Sequence, residues 1–335
     1  MTFAEAIPDH PIGRYQAIHA ALHVHDSWQG PWLQFAVQAA VAAPGDPQAV
    51  AQAILRSAQT LRANTHWPDP LHAPIRYLVA AVLVQAGDSA DAFAAELARS
   101  RMLFRQAGIV RGSLFEVVAI LLLRLAVAGM PITADQVARL GAIYHQLKRS
   151  HWWITGPHDL PSCAMLATLQ GSPEQICHLV EEYYRLLSED GFSAGVQLEQ
   201  AAHILPLLRL PPKQAVHRYG ALRHRLILLE SLTVRLDYEA IALLSFLDQD
   251  AETVAAACLA QYQDLQVRHP AFHHEIIIDL AADMTVLELM RQRMHQGNTG
   301  DDAGRRALMQ RWQDEQRAAI IIACFGARSL DPASY

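Results

Sequence analysis

FRQAGIVRGSLFEVVAILLL, Phe104–Leu123, and LSEDGFSAGVQLEQAAHILPLL, Leu187–Leu208, align almost without gaps, and the fold is read outward from this pair. Gly108 to Gly191, Gly112 to Gly195 and Glu116 to Glu199 share one spacing of 83 residues. Upstream, His66-Trp67 answers His151-Trp152, His72 answers His158, Pro74 answers Pro161 and Gly87 answers Gly171, with spacings of 84 to 87. Self-similarity at a fixed period marks a repeat architecture, so a duplicated unit of roughly 85 residues is expected. Gly108 and Gly112, and their counterparts Gly191 and Gly195, sit where an apolar helical run stops, so they are read as C-caps with positive φ.

Within each unit the apolar positions follow a 3.6-residue period broken by Gly, Pro, Asp and Ser, which predicts helix, turn, helix. The turns share a pattern: Pro44–Val50, Gly87–Phe93, Gly129–Ala138, Gly171–Cys177 and Asp248–Ala255. Each places a polar residue ahead of an early acid or amide, as a helix N-terminus prefers, with Thr133 as one such cap. Hairpins begin near Trp32, Pro74, Ser113, Leu160, Val196 and Asp237. The expectation is an all-α, right-handed α-solenoid of about six hairpins of roughly 40 residues, closed by a C-terminal capping helix. No stretch alternates apolar and polar residues with β-branched enrichment, so no sheet is expected. Residues 1–31 form an N-terminal helix and cap and 32–290 the hairpin array, while 291–335 hold a flexible excursion, His295–Arg306, the capping helix and a loose tail.

Composition supports this. Of 335 residues 52% are hydrophobic and 18% charged, enough to bury a large core. The 27 basic residues are scattered against 33 acidic ones, which excludes nucleic acid as a partner. Cys163, Cys177, Cys258 and Cys324 show no ligand spacing and read as small buried hydrophobes. No basic, apolar leader follows Met1, and Leu114–Ala128, broken by Arg124, is too short for a bilayer span, so a cytoplasmic setting without a membrane is expected.

The block HWWITGPHDLP, followed by a helix and then EYYRLLSEDGFSAGVQLEQAAHILPLL, resembles a family of bacterial proteins catalogued as a domain of unknown function, number four thousand and three. The likeness runs roughly from Trp32 to Met290 and is most specific at Gly191-Phe192-x-x-Gly195. It implies an all-helical cytosolic protein and supplies no activity, cofactor or ligand.

Seventeen histidines invite a test for metal or acid–base chemistry. Signatures such as H-E-x-x-H, Cys-x-x-Cys, a Walker loop and G-x-S-x-G are absent from the sequence. His23-x-His25-Asp26 is explained by histidine favouring a helix C-terminus. His274, Glu275 and Asp279 are metal candidates on a helix starting near Pro270, set against a reading as a solvated face opposite Ile276, Ile277 and Leu280. His217, Arg218, His224 and Arg225 form a basic stripe with the same two readings, anion site or solvated face. The preferred ligand site is the repeated loop, His66, Trp67 and His72 with His151, Trp152, His158 and Asp159. Its alternative is that Trp67 and Trp152 wedge between hairpins while the histidines satisfy loop carbonyls. Glu116, Glu199 and His203 join the candidates, because a buried carboxylate needs a reason, although each glutamate equally suits a loop cap. Two functions stand open: a module that binds or scaffolds a protein, peptide or small ligand, and an enzyme or metal-dependent binder using His and carboxylates in a cleft.

Overall fold

The computed structural model describes residues 8–25, 30–109, 112–150, 156–228, 238–295 and 302–330. Among them are fifteen α-helices, three short 3-10 turns and no strand. The chain divides into two compact units, one comprising Gly13–Cys177 with Ala323–Tyr335, the other Met1–Ile12 with His178–Ile322.

The first unit holds most of α1 (Pro11–His25), then α2 (Pro31–Ala40), α3 (Pro47–Ala63), α4 (Ile75–Ala86), α5 (Ala90–Gln106), α6 (Leu114–Ala126), α7 (Ala134–Ser150) and α8 (Leu160–Leu166). Two layers result. In one, α2 packs on α4, α4 on α6 and α6 on α8; in the other, α3 packs on α5 and α5 on α7. Composition sorts the helices. α6 is apolar on every side and buries Leu114 through Arg124 without interruption, as a helix enclosed by neighbours must. α3 and α5 instead present single stripes, Val50-Ala51-Ile54-Ala58-Leu61 and Phe93-Leu97-Ser100-Phe104, and turn their polar faces to water.

The second unit repeats the scheme with α10 (Val196–Ile204), α12 (Tyr238–Leu244) and α14 (His274–His295) in one layer, and α11 (Pro212–Leu228) packed on α13 (Ala251–Arg268) in the other. α9 (Pro173–Glu189) starts in the first unit and ends in the second, and α15 (Asp302–Leu330) runs the opposite way.

Local capping chemistry sets the helix starts. The Asp46 carboxylate accepts from the amides of Gln48 and Ala49 at 3.0 and 3.1 Å. Ser89 caps α5 through the Ala92 amide, and Asp250 caps α13 through Thr253 at 2.9 Å. Thr133 with Gln136 and Ser172 with Gln175 are reciprocal pairs in which each side chain accepts from the other residue's amide. The expected hairpin starts at Trp32, Pro74, Ser113, Leu160, Val196 and Asp237 fall within a residue of observed helix starts. Gly108, Gly112, Gly191 and Gly195 all have positive φ, at 71°, 76°, 86° and 153°, but the expected place at a helix end holds only for Gly108 and Gly191: Gly112 precedes the Ser113 cap of α6 and Gly195 is itself the N-cap of α10, so both stand at helix starts.

Two further expectations are corrected. The polar excursion His295–Arg306 is shorter on its far side: α15 already begins at Asp302, and its acidic start suits the positive end of a helix. Residues 296–301 of that expectation lie outside the described residues. α14 begins at His274 rather than near Pro270, because the chain first makes a turn in which the Phe272 amide donates to the His269 carbonyl at 3.0 Å and the two rings stack at 4.5 Å. The four cysteines are buried and form no disulfide, as expected of small buried hydrophobes. No single described helix is long and apolar enough to cross a membrane; α4 and α5 meet that test only as a pair, across a bend of 115°.

Candidate functional site in the first unit

In the unit Gly13–Cys177, the helices of the buried layer begin at a common place. Trp32 is the second residue of α2, the 3-10 turn Pro70–His72 leads through Pro74 into α4, Ser113 caps α6, and the 3-10 turn Pro157–Asp159 leads into α8. Residues from all four starts line one pocket of about 730 Å³.

Its wall is mainly apolar, with Trp32, Trp67 and Phe115 among prolines and aliphatic side chains, and it includes His72 and His158. Trp67 is 81% exposed, standing at the lip and joined to Pro68 by a cis peptide bond. Trp32 is the opposite case, 1% exposed, and its indole N–H has no hydrogen-bond partner. Such an orphan donor is uncommon, because leaving a buried polar group unpaired costs about 1–3 kcal/mol. His72 Nε2 lies 3.0 Å from the Thr65 carbonyl, which can only accept, so Nε2 carries the proton and Nδ1 is the basic nitrogen. His158 stands edge-on to Phe115 and Phe325 at centroid distances of 6.3 and 5.6 Å, and its Nε2 is 3.2 Å from Asp159 Oδ2.

Three carboxylates, Asp69 in the wall and Glu116 and Asp159 behind it, hold the backbone that frames the pocket. Asp69 caps the first 3-10 turn, accepting from the Leu71 amide at 2.9 Å, and is paired with Arg101 of α5. Glu116, fully buried in the first turn of α6, accepts from the Gly112 amide at 2.9 Å, with Arg101 Nε 3.4 Å away. Burial pushes the Glu116 carboxyl above its ordinary range, against the opposing pull of Gly112 and Arg101. Asp159, also fully buried, accepts from the Gly156 amide at 2.8 Å. Burial without water is tolerated here because each carboxylate meets a donor the helix start would otherwise leave unpaired.

Of the residues singled out in the sequence, Trp67, His72 and His158 share the pocket, and Glu116 and Asp159 brace its turns. His66 is exposed in the preceding loop, where its carbonyl accepts from the Asp69 amide. Trp67 is no wedge, given its exposure. His151 and Trp152 lie outside the described residues. Glu199 and His203 belong to the second unit, both buried on α10. There too, the metal candidates separate: Glu275 is exposed, Asp279 is buried, and His274 Nδ1 is 2.7 Å from the Tyr262 hydroxyl. Burial lowers the His274 pKa, outweighing Glu275 beside it. In the basic stripe, Arg218 donates to the Ser245 carbonyl at 3.2 Å and Tyr219 is fully buried. Of the cluster near the N-terminus, His23 is exposed.

Sequence reasoning passed over Trp32, Asp69, Arg101, Ser113 and Phe115, all of which build or brace the pocket. A usable signal existed: Gly30-Pro31-Trp32 and Asp69-Pro70 both place proline at a helix start.

Comparison with known proteins adds a relationship without a chemistry. The chain is 30% identical over 115 residues to "Uncharacterized protein YeaA" of Bacillus subtilis (strain 168), a match covering 34% of this chain and 35% of that protein. The matched region thus spans about a third of that relative's length. No solved structure gives a significant match. The pattern of one family runs through residues 46–311, from the cap of α3 into α15, and on that extent the chain belongs to the family described as Protein of unknown function (DUF4003).

Proposed function

We propose that the chain is a helical-hairpin binding protein whose ligand occupies the aromatic pocket of the Gly13–Cys177 unit. The observation that carries this reading is Trp67, a tryptophan left 81% exposed at the lip of a pocket of about 730 Å³. A lone exposed tryptophan is ordinary, but one at the lip of a concave, mainly apolar wall with a few polar groups fits how small-ligand sites are built. Binding is favoured over catalysis because Asp69, Glu116 and Asp159 are each engaged by backbone amides, and Asp69 by Arg101 as well. Of the wall's histidines, His72 meets a backbone carbonyl and His158 meets an Asp159 oxygen that the Gly156 amide already engages. The six-hairpin reading belongs to the same proposal and is supported by the alternation of all-round buried and single-striped helices in each unit. So does a cytoplasmic setting.

The test is a thermal-shift screen of tag-free protein against metabolites, nucleotides, divalent metals and short peptides, run beside Trp67→Ala. That substitution removes an exposed side chain and should change stability by no more than about 0.5 kcal/mol. A ligand that raises the melting temperature of the wild type by more than about 2 °C but leaves Trp67→Ala unmoved is the expected result. Ligands that stabilise both proteins equally would place binding elsewhere and refute the proposal.

A further inference from the structure

An arginine recurs in the chain as a clasp on the end of the helix that follows it. Arg14 of α1 donates through Nε to the Val41 carbonyl at 2.8 Å and through Nη2 to the Gly45 carbonyl at 2.7 Å, past the end of α2. Arg139 of α7 donates through Nε and Nη2 to the Ala167 and Leu169 carbonyls past α8, both at 2.8 Å. Arg218 of α11 holds the same place past α12: 27 residues separate it from Ser245, as 27 separate Arg14 from Val41 and 28 separate Arg139 from Ala167. Yet Arg218 makes one contact, from Nη1 to the Ser245 carbonyl at 3.2 Å. Its Nε and Nη2, which do the clasping in the other two, hold no carbonyl among the described residues.

The neighbourhood is also charged. Asp248, in the turn after α12, is paired with Arg293 of α14 and with Arg311 of α15, one guanidinium on each carboxylate oxygen. All four residues belong to the unit Met1–Ile12 with His178–Ile322. Burial first, and then Arg293, lower the Arg218 pKa; burial first, and then Arg218, lower that of Arg311. The three guanidiniums thus crowd one another, and all three stay protonated. Among the described residues Asp248 is the one carboxylate paired with them, so three positive charges meet one negative and an excess of two remains. The Arg311, Asp248 and Arg293 side chains are 26%, 28% and 37% exposed, so a solute reaches them while water screens them only in part.

An excess of two charges selects its counter-ion. A phosphate monoester brings about −1.5 to −2 at pH 7 and three acceptor oxygens, whereas a carboxylate brings one charge and two oxygens. Each guanidinium carries five donors in a planar fork, of which Asp248 takes few, and such forks match phosphate oxygens. We propose that Arg218, Arg293 and Arg311 bind a dianionic phosphate group, with Asp248 holding Arg293 and Arg311 in position. Arg225, on the same helix as Arg218, stands outside this site and turns to Glu252 at 3.5 Å.

The experiment is calorimetric titration of the full chain at low ionic strength with glycerol 3-phosphate and inorganic phosphate, set against the monoanions methyl sulfate and acetate. The phosphates should bind at least tenfold more tightly than the monoanions and weaken as salt is added. Arg218→Gln and Arg311→Gln should each weaken the phosphates about tenfold, the loss expected for one hydrogen bond to a charged group. The wild-type ranking does not depend on how well those variants fold. Methyl sulfate binding as tightly as the phosphates would overturn the proposal, because the second charge would then go unread. So would silence from both phosphates at millimolar concentration, or unchanged affinity in both folded variants. Glycerol 3-phosphate outbinding inorganic phosphate would assign the group to an ester and the reverse ranking to the free ion, and either one bears out the site. Trp67→Ala should bind phosphate as the wild type does. With inorganic phosphate in excess this site is filled in both proteins, and the Trp67 comparison above then reads the pocket alone.

Discussion

Glu315→Gln should stabilise the protein, and by an amount that grows with pH. Glu315 on α15 and Asp283 on α14 lie side by side in the second unit, 0% and 1% exposed. The Gln316 side-chain amide donates to both, at 2.9 Å to Glu315 Oε2 and 3.2 Å to Asp283 Oδ1, while Glu315 Oε1 has no partner. Burial first, and then the neighbouring Asp283, raise the Glu315 pKa well above the ordinary carboxyl range. The folded pair therefore holds a proton that the unfolded chain has already released above about pH 4.3. Between that value and the raised pKa the native state binds one more proton than the unfolded state, so stability falls as pH rises, by about 1.4 kcal/mol per pH unit. Below pH 4.3 both states are protonated and the contribution is fully present. Glutamine is isosteric and needs no proton, and its amide supplies a permanent donor to Asp283. Over the two units from pH 5 to pH 7 the variant should accordingly gain up to about 2.7 kcal/mol on the wild type. Urea unfolding at half-unit steps across that range measures the gap, and Asp283→Asn should give a similar relief because only one proton is shared. Parallel stability profiles for wild type and Glu315→Gln would show that no proton is held between these carboxyls, and the reasoning would be refuted.

Two further outcomes follow from pairing and from backbone geometry. Asp88→Ala leaves the Arg124 guanidinium, 6% exposed, without the carboxylate that it meets at 2.5 and 2.9 Å. The cost should be about 2–3 kcal/mol, at the low end for a broken buried pair because Asp88 keeps some contact with water; urea midpoints matching the wild type would contradict it. Gly191→Ala forces a side chain onto φ +86° where no atom stands within 4 Å of the new methyl group. Only backbone strain can then act, so a loss of about 1–2 kcal/mol is expected in calorimetric melting, and a neutral result would refute the reading of this glycine as a left-handed stop.

What the sequence discloses here is what neighbouring residues decide among themselves. Asp46, Ser89, Thr133, Ser172 and Asp250 announce their helices because a cap and its amide lie two or three residues apart, and Gly108 and Gly191 announce where helices stop. The pocket is assembled differently. Trp32 and Trp67 line one pocket because α2 packs on α4, and Arg101 reaches Asp69 and Glu116 from another helix of the same unit. None of these distances is written in spacing. Searching for recurrence also biased the choice, since it raised Glu116 and Glu199 as candidates and passed over Trp32 and Arg101, which have no repeat counterpart. Recurrence selects for whatever every unit needs, and every unit needs its helix starts secured. Glu116 proves to serve that need, its carboxylate closing on the Gly112 amide four residues back. Residues particular to a ligand are needed once. Recurrence did find Trp67, His72 and His158 of the pocket wall; what it missed was an unmatched side chain that the fold leaves buried and unsatisfied, which is the position of Trp32.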